Sequence, residues 1–118
     1  MSELKTLNQE RASFALERVK NISSNKDKFA SNAKRLPALI TTNGLIPTLA
    51  FLKSKKETER VYNTINEWLK KKGFTKENKE VLEYLLECNF STLRLATMEA
   101  MAFANWLKRM VEIEMKED

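Results

Sequence analysis

The chain has 118 residues, with 21 Lys/Arg, 16 Asp/Glu, a formal net charge of +5, 2 Gly, 2 Pro, one Cys and no His. So few turn-forming residues favour an all-α fold over a sandwich or barrel, and this length fits one helical domain over residues 1–118. The lack of His and the single Cys exclude the usual Cys/His zinc sites, Ser-His-Asp triads and Cys/His nucleophilic pairs. We therefore expect no enzyme, no metal and no cofactor, although carboxylate clusters could still hold magnesium.

The charge is unevenly distributed. Residues 1–76 hold 16 Lys/Arg and 7 Asp/Glu, whereas residues 77–118 hold 5 and 9. This asymmetry favours a basic surface for a polyanion beside a more acidic side for protein neighbours; a solvated surface rich in Lys and Glu is the alternative. No apolar run reaches the roughly 18 residues of a membrane span, and the polar N-terminus is not a signal peptide. With one Cys and no internal disulfide, we expect a cytoplasmic location and no membrane partner.

Helical spacing of apolar residues predicts a bundle of five to six helices. The first covers residues 3–22, with its inner face formed by Leu4, Leu7, Ala12, Ala15, Val19 and Ile22. The second covers residues 26–42, and Pro37 inside it should kink or split it near Arg35. Gly44 should end it in a left-handed conformation, and Pro47 then starts a short apolar helix that must be buried.

The second half continues this pattern. A basic elbow at residues 53–56 precedes a helix over residues 57–72, which Gly73 and Phe74 should close in a Schellman-like ending. A short helix over residues 76–88 follows, with Cys88 as a small core residue. The last helix, residues 90–117, is the longest and is apolar around most of its girth, so we expect it to be the central helix of the bundle. Ser91 is its predicted N-cap, with Phe90 and Leu95 as a hydrophobic staple.

Several basic residues are candidates for nucleic-acid binding, because binding through counterion release needs only clustered positive charge. They are Lys34, Arg35, Lys53, Lys55 and Lys56, together with Arg94, Lys108 and Arg109 on the polar strip of the last helix. The alternatives are solvated helix ends and long side chains that cover apolar surface. Met98 and Met101 lie toward the same strip and are candidates for a protein interface.

The two tryptophans and a possible helix-turn-helix are further features that could contact nucleic acid. Trp68 and Trp106 could stack on unpaired bases, but both are in register with apolar neighbours, which favours the core. A helix-turn-helix over residues 26–54 is rejected, because its second helix is too apolar to read bases in a major groove.

Two blocks carry a family resemblance. The first comprises residues 37–45 (PALITTNGL) and 48–52 (TLAFL), and the second residues 96–109 (ATMEAMAFANWLKR). In this order, in a chain of this size and after the opening LNQER of residues 7–11, they resemble the small helical subunit of the type III-B CRISPR effector, the Cmr complex.

The resemblance implies a non-catalytic subunit of an RNA-guided antiviral assembly. Copies of such a subunit stack head to tail in a minor filament, beside the backbone subunit and the large polymerase-like subunit, where they line and stabilise the duplex of guide RNA and target RNA. Lys108 and Arg109 become the more specific RNA candidates because they belong to the second block. Two alternatives stay open: a protein-only helical adaptor without nucleic-acid contact, and a metal-dependent nuclease that uses Glu clusters.

Overall fold

The computed structural model describes residues 4–76 and 78–115. Within them the chain forms six α-helices and no β-strand: α1 Leu7–Lys20, α2 Lys26–Asn43, α3 Leu45–Ser54, α4 Glu59–Lys71, α5 Val81–Glu87 and α6 Phe90–Glu114, with a 3₁₀ turn at Lys56–Thr58 between α3 and α4. The predicted all-α class is therefore confirmed. The long last helix is the hub, since α1, α2 and α4 all pack against it, whereas α3 and α5 pack against α4 and against each other.

An aromatic cluster shared by α1, α4 and α6 lies at the centre of the core. The rings of Trp68 and Phe103 stack with centroids 5.2 Å apart and planes 12° apart, and Phe14 packs obliquely on both. Trp68 and Phe103 are fully buried. A stacked aromatic pair stabilises the fold by about 0.5–1.5 kcal/mol beyond the contribution of its buried area. This cluster therefore fixes how α1 and α4 lie on the hub helix.

The N-terminus of α6 differs from the prediction. Asn89 rather than Ser91 is the N-cap, and its side-chain oxygen accepts from the amide of Thr92 at 2.8 Å. With this cap the staple positions become Cys88 and Leu93, and both pack against the core. The predicted staple residues Phe90 and Leu95 are instead 77% and 59% exposed. At the other end α6 stops at Glu114, and residues 116 and 117 of the predicted helix lie outside the described residues.

Helix α1 begins four residues later than predicted. Thr6 caps it in a capping box: the Thr6 hydroxyl accepts from the amide of Gln9 at 3.1 Å, and the Gln9 side chain accepts from the amide of Thr6 at 2.8 Å. The predicted inward positions Leu4 and Leu7 are consequently exposed, Leu4 at 94%. The inner face of α1 starts only near its middle, and residue 3 lies outside the described residues.

Helix α2 is not split at Pro37. It runs from Lys26 to Asn43 as one helix, because buried Ala33, Leu36 and Ile40 hold both sides of the proline in the core. The proline cannot donate one backbone hydrogen bond of the helix, and the packing of the residues on either side offsets the free energy lost with that bond.

Both glycines end helices with positive φ, as predicted. At Gly44 φ is +87° and ψ is 166°, a conformation used almost only by glycine rather than the left-handed helical one that the sequence predicted, and α3 starts immediately afterwards. The buried Thr48 hydroxyl lies within hydrogen-bond distance of the Gly44 carbonyl, at 2.7 Å, and of the Leu39 carbonyl in α2, at 3.0 Å; the contact with Leu39 ties the first turn of α3 to the end of α2. At Gly73 the Schellman ending is confirmed: the Gly73 amide donates to Lys70 and the Phe74 amide to Leu69, each at 3.0 Å.

Helix α5 is shorter than predicted. It covers Val81–Glu87 instead of residues 76–88, and the amide of Val81 at its start donates to the side chain of Asn66 at 3.0 Å. Cys88 follows it as a half-buried residue packed against the core, in agreement with its predicted core role.

Candidate nucleic-acid interface

The structure separates the candidate basic residues into two groups. Arg94, Lys108 and Arg109 lie exposed along the outer face of α6. Lys34 and Arg35 lie on α2, and the elbow residues Lys53, Lys55 and Lys56 surround the C-terminus of α3 and the start of the 3₁₀ turn.

A groove of about 280 Å³ brings the α2 group and the elbow together. We call it the elbow groove; its lining residues are Asp27, Lys28, Ser31, Asn32, Arg35, Phe51, Lys55, Glu57 and Thr58. Arg35 from α2 and Lys55 from the elbow thus line the same depression. Sequence spacing alone could not bring them together, because they belong to different elements.

Two further grooves adjoin the elbow groove. One, of about 370 Å³, is lined by Asn25, Lys28, Phe29, Lys56, Glu57, Glu59 and Arg60, and shares Lys28 and Glu57 with it. The other, of about 360 Å³, is lined by Asp27, Ala30, Ser31, Lys34 and Met115, and shares Asp27 and Ser31 with it. The three grooves therefore form one continuous surface across the N-terminal half of α2.

This continuous surface is predominantly basic. We call it the α2 basic surface; its basic residues are Lys28, Lys34, Arg35, Lys55, Lys56 and Arg60, against the acids Asp27, Glu57 and Glu59. Sequence reasoning missed Lys28 and Arg60. Lys28 could have been found, because it lies seven residues before Arg35 and hence on the same face of the helix.

The basic residues of this surface differ in what they already bind. The ammonium of Lys28 lies 3.2 Å from Glu57, and Arg60 donates to the carbonyl and the hydroxyl of Ser24. In the described ranges, Lys34, Arg35, Lys55 and Lys56 form no ion pair. These four predicted residues are accordingly available to an external anion.

Lys53 lies outside the three grooves and has protein partners. Its ammonium is 2.6 Å from Glu80 and 5.6 Å from the ring centroid of Tyr62, whose hydroxyl donates to the same carboxylate at 2.5 Å. Hydrogen bonds from Lys53 and Tyr62 lower the pKa of Glu80. Burial, followed by the hydrogen bond to Glu80, raises the pKa of Tyr62. Lys53 therefore joins α3 to the start of α5, which makes it a weaker RNA candidate than Lys55 or Lys56.

The outer face of α6 mixes cations with exposed apolar side chains. Met98 is 58% exposed, as its interface prediction requires, whereas Met101 is half-buried against the core. Arg109 lies 3.4 Å from Glu112 on the same face. Lys108 lies two turns before Met115, which lines a groove with Lys34. Lys108 itself lines none of the three grooves.

A polar network joins α1, α4 and α6 beside the aromatic cluster. The guanidinium of Arg11 donates to both oxygens of Glu99 at 2.7 Å, and the indole of Trp68 donates to Glu99 at 3.0 Å. Burial raises the pKa of Glu99, but the hydrogen bonds from Arg11 and Trp68 outweigh burial, and the net pKa lies below the ordinary value. The half-buried Trp106 donates to Asn8 at 3.2 Å. Trp68 thus lies in the core as predicted, whereas Trp106 is partly buried, packs against the core and hydrogen-bonds to α1.

Metal and membrane features are absent from the part of the chain that the structure describes. No three His, Cys, Asp or Glu side chains there are grouped so that they could hold a metal ion. In the same ranges, no helix is both long enough and apolar enough to cross a bilayer.

Comparison with known proteins places this fold beside CRISPR-associated relatives. A family model described as CRISPR-associated protein (Cas_Cmr5) matches residues 7–114, a range that includes every candidate basic residue. Over 115 residues the chain is 32% identical to the CRISPR system Cmr subunit Cmr5 of Thermotoga maritima, covering 94% of this chain and 86% of that protein. A crystal structure of a CRISPR-associated Cmr5 family protein from Thermus thermophilus has a TM-score of 0.79 at 24% identity, covering 92% of this chain and 97% of that one. At that identity the structural likeness shows the fold alone.

Proposed function

Because this chain belongs to the Cmr5 family of CRISPR-associated proteins, we propose that it acts as the small, non-catalytic, RNA-contacting subunit of a cytoplasmic Cmr complex. The family match over residues 7–114 confirms the resemblance carried by the two sequence blocks. In the proposed role the subunit lines the duplex of guide RNA and target RNA. It packs against the backbone subunit, against the large polymerase-like subunit and against copies of itself, stacked head to tail in the minor filament.

The α2 basic surface is the observation that carries the RNA-binding part of the proposal. Four basic side chains without an ion pair in the described ranges, Lys34, Arg35, Lys55 and Lys56, line connected grooves. Such a surface neutralises phosphates and releases their counterions, which gives affinity without sequence preference. A subunit that must accept any guide and target sequence needs binding of this kind.

The chemistry of the interior carboxylate supports a non-catalytic role. Glu99 already accepts from Arg11 and Trp68, and its pKa is lowered. A general base near neutral pH needs a raised pKa and a free lone pair facing the substrate. Glu99 therefore serves the packing of the bundle.

The test is target-RNA retention by a Cmr complex reconstituted with charge-reversed subunits. One variant carries Lys108→Glu with Arg109→Glu, and a second carries Arg35→Glu with Lys55→Glu. All four side chains are exposed, so we expect intact subunits, normal assembly and weaker retention of target RNA. Retention equal to that of the wild-type complex in both variants would contradict the proposal.

A protein-only adaptor is the second candidate, and the outer face of α6 favours it. Leu95, Met98 and Ile113 are all more than half exposed there, beside Arg94 and Arg109. Adaptable apolar side chains ringed by charge are typical of protein contacts. Salt titration separates the two functions, because phosphate contacts make RNA affinity fall steeply with salt, whereas an adaptor makes no contribution to that dependence.

A further inference from the structure

The elbow groove contains an aromatic side chain that phosphate binding does not use. Phe51 is half-buried, and its ring lines the groove together with Arg35, Lys55 and Asn32. We propose that this groove binds an unpaired nucleotide of an RNA strand, with the base stacked on Phe51 and the flanking phosphates on Arg35 and Lys55. The inference rests on the proposed function and adds the class of ligand that this groove takes, a nucleotide left unpaired beside the duplex of guide RNA and target RNA.

Phe51 lines the elbow groove, and a lysine side chain lies over its ring. The ammonium of Lys55 lies 5.0 Å from the ring centroid, and Lys55 itself is exposed. A flexible lysine can leave the ring for a phosphate and uncover the face for a base. Every base offers a π-face, so an aromatic side chain beside a cationic groove is suited to single strands of any sequence.

The remaining groove residues fit a nucleotide. Asn32 uses one side-chain N–H for the carbonyl of Glu57 at 3.4 Å, and among the described residues its amide oxygen and second hydrogen have no partner, which leaves them for the edge of a base. The guanidinium of Arg35 makes no hydrogen bond within the described ranges, and this planar group can bind a phosphate or stack on a base. Thr58 also lines the groove, and its hydroxyl donates to the carbonyl of Leu52 at 2.5 Å, which holds this part of the groove wall in place.

Only an unpaired nucleotide satisfies both parts of this site. In an A-form duplex the base faces are stacked on each other, so only phosphates and sugars remain for a surface such as this one. A site that bound phosphate alone would gain nothing from Phe51. The aromatic ring and the cations together therefore favour a single strand, such as the target RNA before pairing or a base displaced from the duplex.

The experiment measures the affinity of the full-length chain at low salt for three RNAs of equal length. These are a single strand, the same strand with abasic residues throughout, and a duplex. We expect the single strand to bind about 5- to 10-fold more tightly than the abasic strand, at the lower end of stacking on one aromatic residue. Equal affinities for these two strands would overturn the inference.

Variants assign the difference to Phe51. Phe51→Leu keeps the apolar packing and removes the ring, so it should abolish the preference for bases and leave the abasic affinity unchanged. Arg35→Gln should weaken both strands. Phe74→Leu is the matched control, because Phe74 is also partly buried against the core but lies outside the three grooves. An unchanged preference in Phe51→Leu, with native helical circular dichroism, would contradict the site.

A second readout holds even if Phe51→Leu does not fold. A single strand containing 4-thiouridine, photocrosslinked to the wild-type chain and mapped by mass spectrometry, should react at Phe51; crosslinks confined to other regions would overturn the inference.

The proposed function is tested separately by target-RNA retention in the assembled complex. Failure at Phe51 with charge-sensitive retention would therefore remove only the base site. Failure of the isolated chain to bind RNA at low salt would also contradict this inference.

Discussion

Glu99 is an acid on the inner side of the hub helix, where a carboxylate without partners would be strongly destabilising. Its oxygens accept from Arg11 and Trp68, and the side chains of Glu99 and Arg11 are only 10% and 15% exposed. The sequence contained Glu99 within the second block but held no sign of its partner. Arg11 lies 88 positions away, so no local pattern could join them. Long-range polar pairs of this kind can be seen only once helix packing is known.

The free energy of unfolding should fall as the pH drops below about 4.5. Glu99, Glu10, Glu80 and Glu87 all have pKa values below the ordinary value of 4.5 in the folded chain. At acid pH the unfolded chain therefore binds more protons than the folded one. The stabilisation is fully present above the unfolded pKa and is lost as the pH falls through the lower folded values. Urea denaturation between pH 7 and pH 3 measures it, and a stability independent of pH over that range would contradict the network.

A substitution separates Glu99 from the surface acids. Glu99→Gln should lower the stability at pH 7 by about 1–3 kcal/mol, because Arg11 loses its counter-charge in a half-buried site. It should also flatten the acid dependence. Glu112→Gln is the matched control; its pair with Arg109 lies at the surface, so the change should stay within about 0.5 kcal/mol. Equal effects in the two variants would count against a structural role for Glu99.

The helices and their breaks were predictable because local chemistry dictates them. Gly44 and Gly73 both adopt positive φ, which strongly favours glycine, and both were expected to end helices. The N-terminus of α6 was misplaced by two residues, since Asn89 and Ser91 are both good caps. The choice depends on packing, because only the Asn89 cap directs Cys88 and Leu93 to the core. Tertiary contacts thus decide between local alternatives of similar strength.

The cap assignment of α6 can be measured directly. Asn89→Ala should lower the free energy of unfolding by about 1 kcal/mol, because the amide of Thr92 loses its acceptor. Ser91→Ala should change it by less than about 0.5 kcal/mol, as expected of an exposed position without a cap role. Urea denaturation of both variants gives the comparison. A larger destabilisation by Ser91→Ala would restore the cap predicted from sequence.

The two glycines should respond differently to alanine. Gly44 has φ +87° and ψ 166°, a region used almost only by glycine, so Gly44→Ala should cost about 1–3 kcal/mol. Gly73→Ala should cost about 1 kcal/mol, the usual penalty of a left-handed residue. Sterics add little, since the nearest atom to a Cβ at Gly44 is the Cδ of Pro47 at 3.8 Å, and none lies within 4 Å at Gly73. Thermal or urea unfolding checks the order, which would be wrong if Gly73→Ala were the more damaging.

At the scale of the whole molecule, charge was predictable and its arrangement was not. The asymmetry between the two parts of the sequence indicated a basic surface, and Lys34, Arg35, Lys55 and Lys56 were candidates on charge alone. That they line connected grooves follows from the packing of the elbow on α2. The packing of α3 against α5 in turn pairs Lys53 with Glu80. Surface continuity depends on which faces meet, and a linear sequence does not contain that information.

The salt dependence of target-RNA affinity in the assembled Cmr complex tests the central claim most directly. Three complexes are compared. One is wild type, one carries both Arg35→Gln and Lys55→Gln, and a charge-matched control carries both Lys5→Gln and Lys20→Gln, at exposed positions outside the α2 basic surface. The slope of log affinity against log salt should become shallower by about 0.7–0.9 for each phosphate that the subunit no longer neutralises. The control should keep the wild-type slope. Identical slopes in all three complexes would contradict an RNA-contacting role for this subunit.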